Sequence, residues 1–218
     1  MVKGVIFDFD GLILDTETHQ YLLLQEIFSE YGCELPIERW QQEIGTHSGF
    51  SPFQYLSENI QQKIDPPILQ KQFKEKFNKK LVGEQARDGV EEYLQEAKEL
   101  KLKIGLASSS NYKWVSTHLD NLNILHYFDC IKTSDDVEKV KPDPALYLET
   151  AKELGLLAEE CLVFEDSANG ALAAKEAKMK CIIVPNQVTH TMNFCSVAHR
   201  MNSMSEMALK EVIAYINN

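Results

Sequence analysis

Four short apolar runs punctuate the chain, at residues 4–9, 102–107, 161–164 and 181–184, and each closes on polar residues. Each is too short for a core helix and none alternates, which is the pattern of strands buried on both faces. A weaker run covers 130–133. Helix-length amphipathic segments separate the later runs, at 112–122, 144–154 and 170–177, and another at 89–100 precedes the second run. This alternation predicts an α/β fold, a Rossmann-like parallel sheet with helices on both faces.

Residues 16–80 break the rhythm, with no buried strand among them. They read as four helices, at 19–31, 36–45, 52–61 and 67–80. Asp15-Thr16-Glu17 supplies N-terminal capping chemistry for the first, and Pro66-Pro67 starts the last. The expected organisation is a core of residues 1–15 and 81–218 with an α-helical cap inserted at 16–80. A final helix is expected at 205–216, on the outside of the core.

Composition narrows the partners. A formal net charge of -11 argues against nucleic acid or an anionic membrane, whose phosphates need Lys and Arg. The apolar start, residues 1–7, meets Asp8 and Asp10, so it reads as neither a secretory signal nor a membrane span. The five cysteines form no C-x-x-C pair, and reduced thiols in a cytoplasmic protein are expected. No long apolar surface stripe stands out, so a monomer is expected.

Asp8-Phe9-Asp10-Gly11 follows the first buried run. In open α/β sheets, ligands bind beyond the carboxyl ends of the strands. Two acids placed there point the same way, and their mutual repulsion is relieved by a hard cation such as Mg²⁺. Solvated strand-end acids are the competing reading. Glu165 and Asp166 close the third long run, and a parallel sheet brings them to the same edge. Ser108-Ser109-Ser110 closes the second run, where hydroxyls and successive N–H groups suit a phosphate, or simply cap a helix. Lys141-Pro142-Asp143-Pro144 holds a lysine at a helix start, as a phosphate-facing charge or a plain ion-pair partner. Together they fit one mechanism best. Asp8 attacks phosphorus as the nucleophile. Asp10 is the general acid and base, which requires it to hold its proton more tightly than Asp8.

Taken in order, the segments closing on Asp8/Asp10, Ser108/Ser109, Lys141 and Glu165/Asp166 resemble the haloacid dehalogenase-like hydrolase superfamily, in the group with a small helical cap. The resemblance spans essentially the whole chain. It implies an Mg²⁺-dependent phosphatase acting on a small phosphorylated metabolite through an aspartyl-phosphate on Asp8. It further implies metal ligation by Asp8, the main-chain carbonyl of Asp10, Glu165 and Asp166, and phosphoryl binding by Ser108, Ser109 and Lys141. β-Phosphoglucomutases are the rival group. Their pattern has an arginine after the cap glycine and a histidine five residues past the aspartate of Asp-Thr. Here the loop Gly45-Thr46-His47-Ser48-Gly49-Phe50 lacks arginine, and His19 falls one residue early, with Gln20 in its place. Both departures favour a phosphatase, with His19 and His47 as candidate substrate contacts. A phospho-acceptor signalling domain gathers similar groups, but neither the paired Asp10 nor a cap of this size suits one.

Overall fold

The computed structural model describes residues 1–217. Six parallel strands form one sheet in the order β3-β2-β1-β4-β5-β6. They are β1 (Gly4–Phe7), β2 (Lys103–Ala107), β3 (Cys130–Lys132), β4 (Cys161–Glu165), β5 (Lys180–Ile183) and β6 (His199–Arg200). The four long apolar runs and the weak one are all strands, and the sheet has helices on both faces as expected.

The unbroken apolar character of β1 follows from burial on both sides. Val5 and Phe7 pack into one cluster with residues of α5 (Val90–Glu99), α6 (Tyr112–Asn121) and α9 (Leu209–Asn217). Ile6 packs into another with residues of α7 (Ala145–Glu153) and α8 (Ala168–Glu176). Phe7 stacks on Phe164 of β4 at 5.1 Å. A side chain on such a strand meets helix either way it points, so no polar position is tolerated until the strand ends.

Strand β6 escaped the sequence pattern. It is two residues long, held at the sheet edge by bonds such as Met201 N–H to the Ile183 carbonyl at 2.9 Å. An edge strand this short carries no readable periodicity.

Between β1 and β2 lie α1 (Thr16–Glu30), α2 (Ile37–Gln41), α3 (Pro52–Asn59) and α4 (Pro66–Lys80). Helix α1 begins at Thr16, three residues before the predicted start, because the Asp15 carboxylate accepts from Thr18 N–H at 3.1 Å and caps it there. Helix α2 is shorter than predicted, giving way to turns after Gln41. These helices share their own apolar cluster, which includes Leu24, Phe28, Trp40, Phe53, Phe73 and Phe77. Phe73 meets Phe53 edge-on and Phe77 face-on, both at 5.8 Å. Trp114 of α6 extends the row, stacked on Phe77 at 6.0 Å. The segment between β1 and β2 therefore packs around an apolar cluster that also takes in Val188 and Trp114 from outside it, and it is further joined to the sheet by Asn169, which donates to the Ile44 carbonyl at 2.8 Å.

Among the described residues, no helix is long and apolar enough to cross a membrane. All five cysteines are free, and three of them, Cys130, Cys161 and Cys181, are buried.

Candidate active site

Strand β1 pairs with β2 and β4 at once, with Phe7 opposite both Leu106 and Phe164. One residue beyond each pair stand Asp8, Ala107 and Glu165. The sheet order reverses direction about β1, and the crevice at such a point is where open α/β sheets bind ligands. The parallel register thus delivers the predicted acids to one place. Single oxygens of Asp8, Glu165 and Asp166 lie within 4.8 Å of one another, all from buried residues.

Lys141 is the counter-charge and is only 1% exposed. Its Nζ donates to Asp8 Oδ1 at 2.5 Å, to Glu165 Oε1 at 2.7 Å and to the Ala107 carbonyl at 2.8 Å. Burial works to lower the lysine's pKa, but Asp8 and Glu165 outweigh it and keep the ammonium charged. Burial and the neighbouring Glu165 raise the Asp8 carboxyl to about 8, with Lys141 pulling the other way. Burial, Glu165 and Asp8 likewise raise Asp166 well above the usual carboxylate range. The acids are crowded beyond what a single lysine neutralises.

The two acids after β4 differ in what they have to offer. Both oxygens of Glu165 are occupied: Oε1 by Lys141 and the Tyr147 hydroxyl at 2.7 Å, Oε2 by Asp166 N–H, Ser167 N–H and the Ser167 hydroxyl. Asp166 Oδ2 accepts from Asn186 at 2.8 Å, while its Oδ1 is buried with no hydrogen-bond partner. A buried, unpartnered carboxylate oxygen beside two further carboxylates fits a divalent cation, and an all-oxygen set fits a hard one. Close approach of main chain is part of this geometry. A Cβ at Gly170 would stand 1.7 Å from Glu165 Oε1, and one at Gly11, where φ is +82°, would stand 2.3 Å from Asp166 Oδ2.

Asp10 is half-buried and surrounded by donors. Its Oδ1 accepts from the Thr16 hydroxyl at 3.0 Å and Trp114 Nε1–H at 2.9 Å, and its Oδ2 from the Ser110 hydroxyl at 2.6 Å. Ser108 is buried, its oxygen accepting from Ser110 N–H at 3.0 Å. The Ser109 hydroxyl donates to the Gly45 carbonyl of the insertion at 2.9 Å, so this residue links the two segments while lining the cavity beside Asp8 and Asp10.

Asp8, Asp10 and Ser108 open into a cavity of about 240 Å³ whose far wall comes from the insertion, notably Glu17, Gln20, Trp40 and His47. A wider groove of about 750 Å³ runs alongside, bounded by His47 and residues 137–144. The smaller cavity is the candidate site, because Asp8 and Asp10 line it. Of the two histidines singled out from sequence, His47 borders the cavity, whereas His19 lies 3.1 Å from Glu84 and outside its lining.

Sequence reasoning missed several contributors. Asn186 and Arg87 come from loops with no motif. Arg87 donates to the carbonyls of Gly11, Val184 and Pro185 and so ties the loop after β1 to that after β5. Tyr147 and Trp114 lie within the amphipathic helical segments and carry no motif. Glu17 was read as capping chemistry only. It is buried against Asp10 and Asp8, and burial followed by those two charges raises its carboxyl well above the usual range.

Residues 5–184 match the family model described as haloacid dehalogenase-like hydrolase. The whole chain is 55% identical to YhcW of Bacillus subtilis strain 168, a protein named as a phosphatase, covering 99% of it. It is 29% identical to the phosphorylated carbohydrates phosphatase of Thermotoga maritima, over 88% of each chain. A crystal structure from Thermotoga maritima, named as a β-phosphoglucomutase, is 27% identical with a TM-score of 0.76 over 97% of this chain and 100% of that one. The chain belongs to the haloacid dehalogenase-like hydrolase family.

Proposed function

We propose that this hydrolase is a phosphatase acting on a small phosphorylated metabolite, with Asp8 as its nucleophile. The observation that carries the reading is the Asp8 carboxylate itself, held at 2.5 Å by a buried lysine beside the unpartnered oxygen of Asp166. A buried carboxylate at a parallel-sheet edge, with positive charge arranged to draw in an anion, is built to attack phosphorus.

An Asp8 oxygen forms the bond to phosphorus, giving an aspartyl-phosphate, while the ester oxygen leaves with a proton from Asp10. Asp10 then takes a proton from water, the water oxygen attacks phosphorus, and the Asp8–phosphate bond breaks to release inorganic phosphate. Ser108 and Ser109, which line the cavity beside Asp8, bind phosphoryl oxygens through both steps, and Lys141 offsets their charge from behind through its bond to Asp8. Asp8, Asp166 and the main-chain carbonyl of Asp10, with Glu165 adjoining, would hold Mg²⁺, which when bound would supply charge neutralisation for an anionic nucleophile meeting an anionic substrate. Glu165 fixes Lys141, and the helical insertion acts as a cap that shields the attack from bulk water.

No lysine or arginine lines the cavity among the described residues. A second phosphate on the substrate therefore has no partner there, which favours a phosphatase over a phosphate-shuttling mutase. The likeness to a phosphorylated carbohydrates phosphatase makes sugar and sugar-alcohol monophosphates the first class to assay. With Mg²⁺, the wild type is expected to hydrolyse p-nitrophenyl phosphate and Asp8→Asn is not. Retained turnover in that variant removes Asp8 as nucleophile. Given a sugar 1-phosphate, the phosphatase releases inorganic phosphate, whereas an isomeric sugar phosphate identifies a mutase.

A further inference from the structure

We propose that Trp114 is a positioning residue for Asp10, through which the helical insertion sets the orientation of that carboxylate. The proposal rests on the phosphatase reading and on the role of Asp10 within it.

Trp114 is fixed on three sides. Its main-chain N–H donates to the Asn111 side chain at 2.9 Å, which sets the first turn of α6. Its ring lies nearly parallel to Phe77 of α4, with centroids 6.0 Å apart and planes at 19°. Its other neighbour is His118, met edge-on at 4.2 Å. The indole N–H, which can only donate, then meets Asp10 Oδ1 at 2.9 Å. Trp114 packs partly buried against both the sheet cluster and the insertion cluster. By chain it belongs to the sheet unit, and by packing it also belongs to the insertion.

This joins the acid–base group to a surface that moves if α4 moves. Phe77 is itself stacked on Phe73 at 5.8 Å, so the indole plane is set by an aromatic row that runs into the insertion core. An indole is rigid, and stacking fixes its plane as well as its centre. A shift of that row rotates the N–H, and Asp10 loses one of its three donors. Thr16 and Ser110 alone leave the carboxylate with one bond to each oxygen. Trp114 doubles the hold on Oδ1.

Pre-steady-state kinetics with p-nitrophenyl phosphate and Mg²⁺ test this. The first release of p-nitrophenolate needs little help from Asp10, because the phenolate is a good leaving group. Hydrolysis of the phosphoenzyme needs Asp10 as base. Trp114→Phe keeps the aromatic packing and deletes the N–H. It is expected to keep the wild-type first-turnover rate, shown as a burst, and to lose about tenfold in steady-state kcat without a rise in KM, a part of the 10²–10⁴ typical of a whole acid–base group. Phe77→Leu keeps the N–H and deletes the stack, and is expected to show the same split at about threefold. Two outcomes for Trp114→Phe overturn the proposal: wild-type kinetics, or equal slowing of burst and steady state with a raised KM, which is what mere loosening gives. Wild-type kinetics in Phe77→Leu overturn the insertion's part, and that variant decides the matter if Trp114→Phe does not fold. A wild type that releases no p-nitrophenolate fails at the phosphatase reading, and this proposal falls with it.

Discussion

Burial and Glu165 raise the Asp8 carboxyl to about 8, against 3.8 for an ordinary aspartate, so the fold resists the charge the proposed nucleophile needs. The sign follows from linkage. Between those two values the unfolded chain releases the Asp8 proton and the folded chain retains it, so each rise in pH favours unfolding. Without divalent cation, the melting temperature is expected to fall as pH rises from about 4 to about 8, and added Mg²⁺ should restore more at pH 8 than at pH 5. Asp8→Asn is expected to melt higher than wild type at pH 8 without metal. An unchanged or lower melting temperature there contradicts the placement of an uncompensated charge at Asp8. Tyr147 gives a simpler case. Its buried hydroxyl donates to Glu165 Oε1, and Tyr147→Phe should cost about 1.5–3 kcal/mol in urea unfolding, the usual scale for a hydrogen bond to a charged acceptor.

At the scale of elements, strand ends and helix starts do the positioning. Helix α8 begins where Ser167 caps Gly170 N–H at 3.0 Å, and that turn wraps Glu165 so closely that position 170 has no room for a methyl. Gly170→Ala is expected to destabilise by about 3 kcal/mol or to displace Glu165, and with it Lys141. Thermal melting together with loss of phosphatase activity checks this. The elements themselves were legible where the pattern was strong. Runs of 4–6 apolar residues between helix-length amphipathic segments announce buried parallel strands, because no other element is apolar on all sides at that length. Strand β6 was not legible, since two residues such as His199 and Arg200 become a strand only when β5 is beside them. The early start of α1 was recoverable from Asp15, whose capping bond fixes it.

For the whole molecule, the sheet strands bring Asp8, Asp10 and Ser108 to the cavity and the segment between β1 and β2 supplies its far wall. That wall carries Glu17, Gln20, Trp40 and His47 and no strong cation. Monophosphates should therefore be turned over better than bisphosphates of the same carbon skeleton, and kcat/KM across such pairs is the check. A preference for the bisphosphate would point to the wider groove, where Lys139 lies near His47, as part of the site. Asp8, Asp10, Ser108, Lys141 and Asp166 could be picked out before any coordinates, because each closes a buried run or opens a helix and a parallel sheet must bring such ends to one edge. The sequence by itself thus determined five of the sheet's six strands and the acids at its edge. Only the tertiary structure decided that Glu165 is taken up by Lys141, Tyr147 and Ser167, that Asp166 keeps an oxygen free, and that Trp114 reaches Asp10 from beneath Phe77. Apart from Ser167, two positions from Glu165, the hydrogen-bonded partners that take up Glu165 and reach Asp10 lie from 18 to 104 positions away, brought together by packing, and packing leaves no periodic trace in the chain.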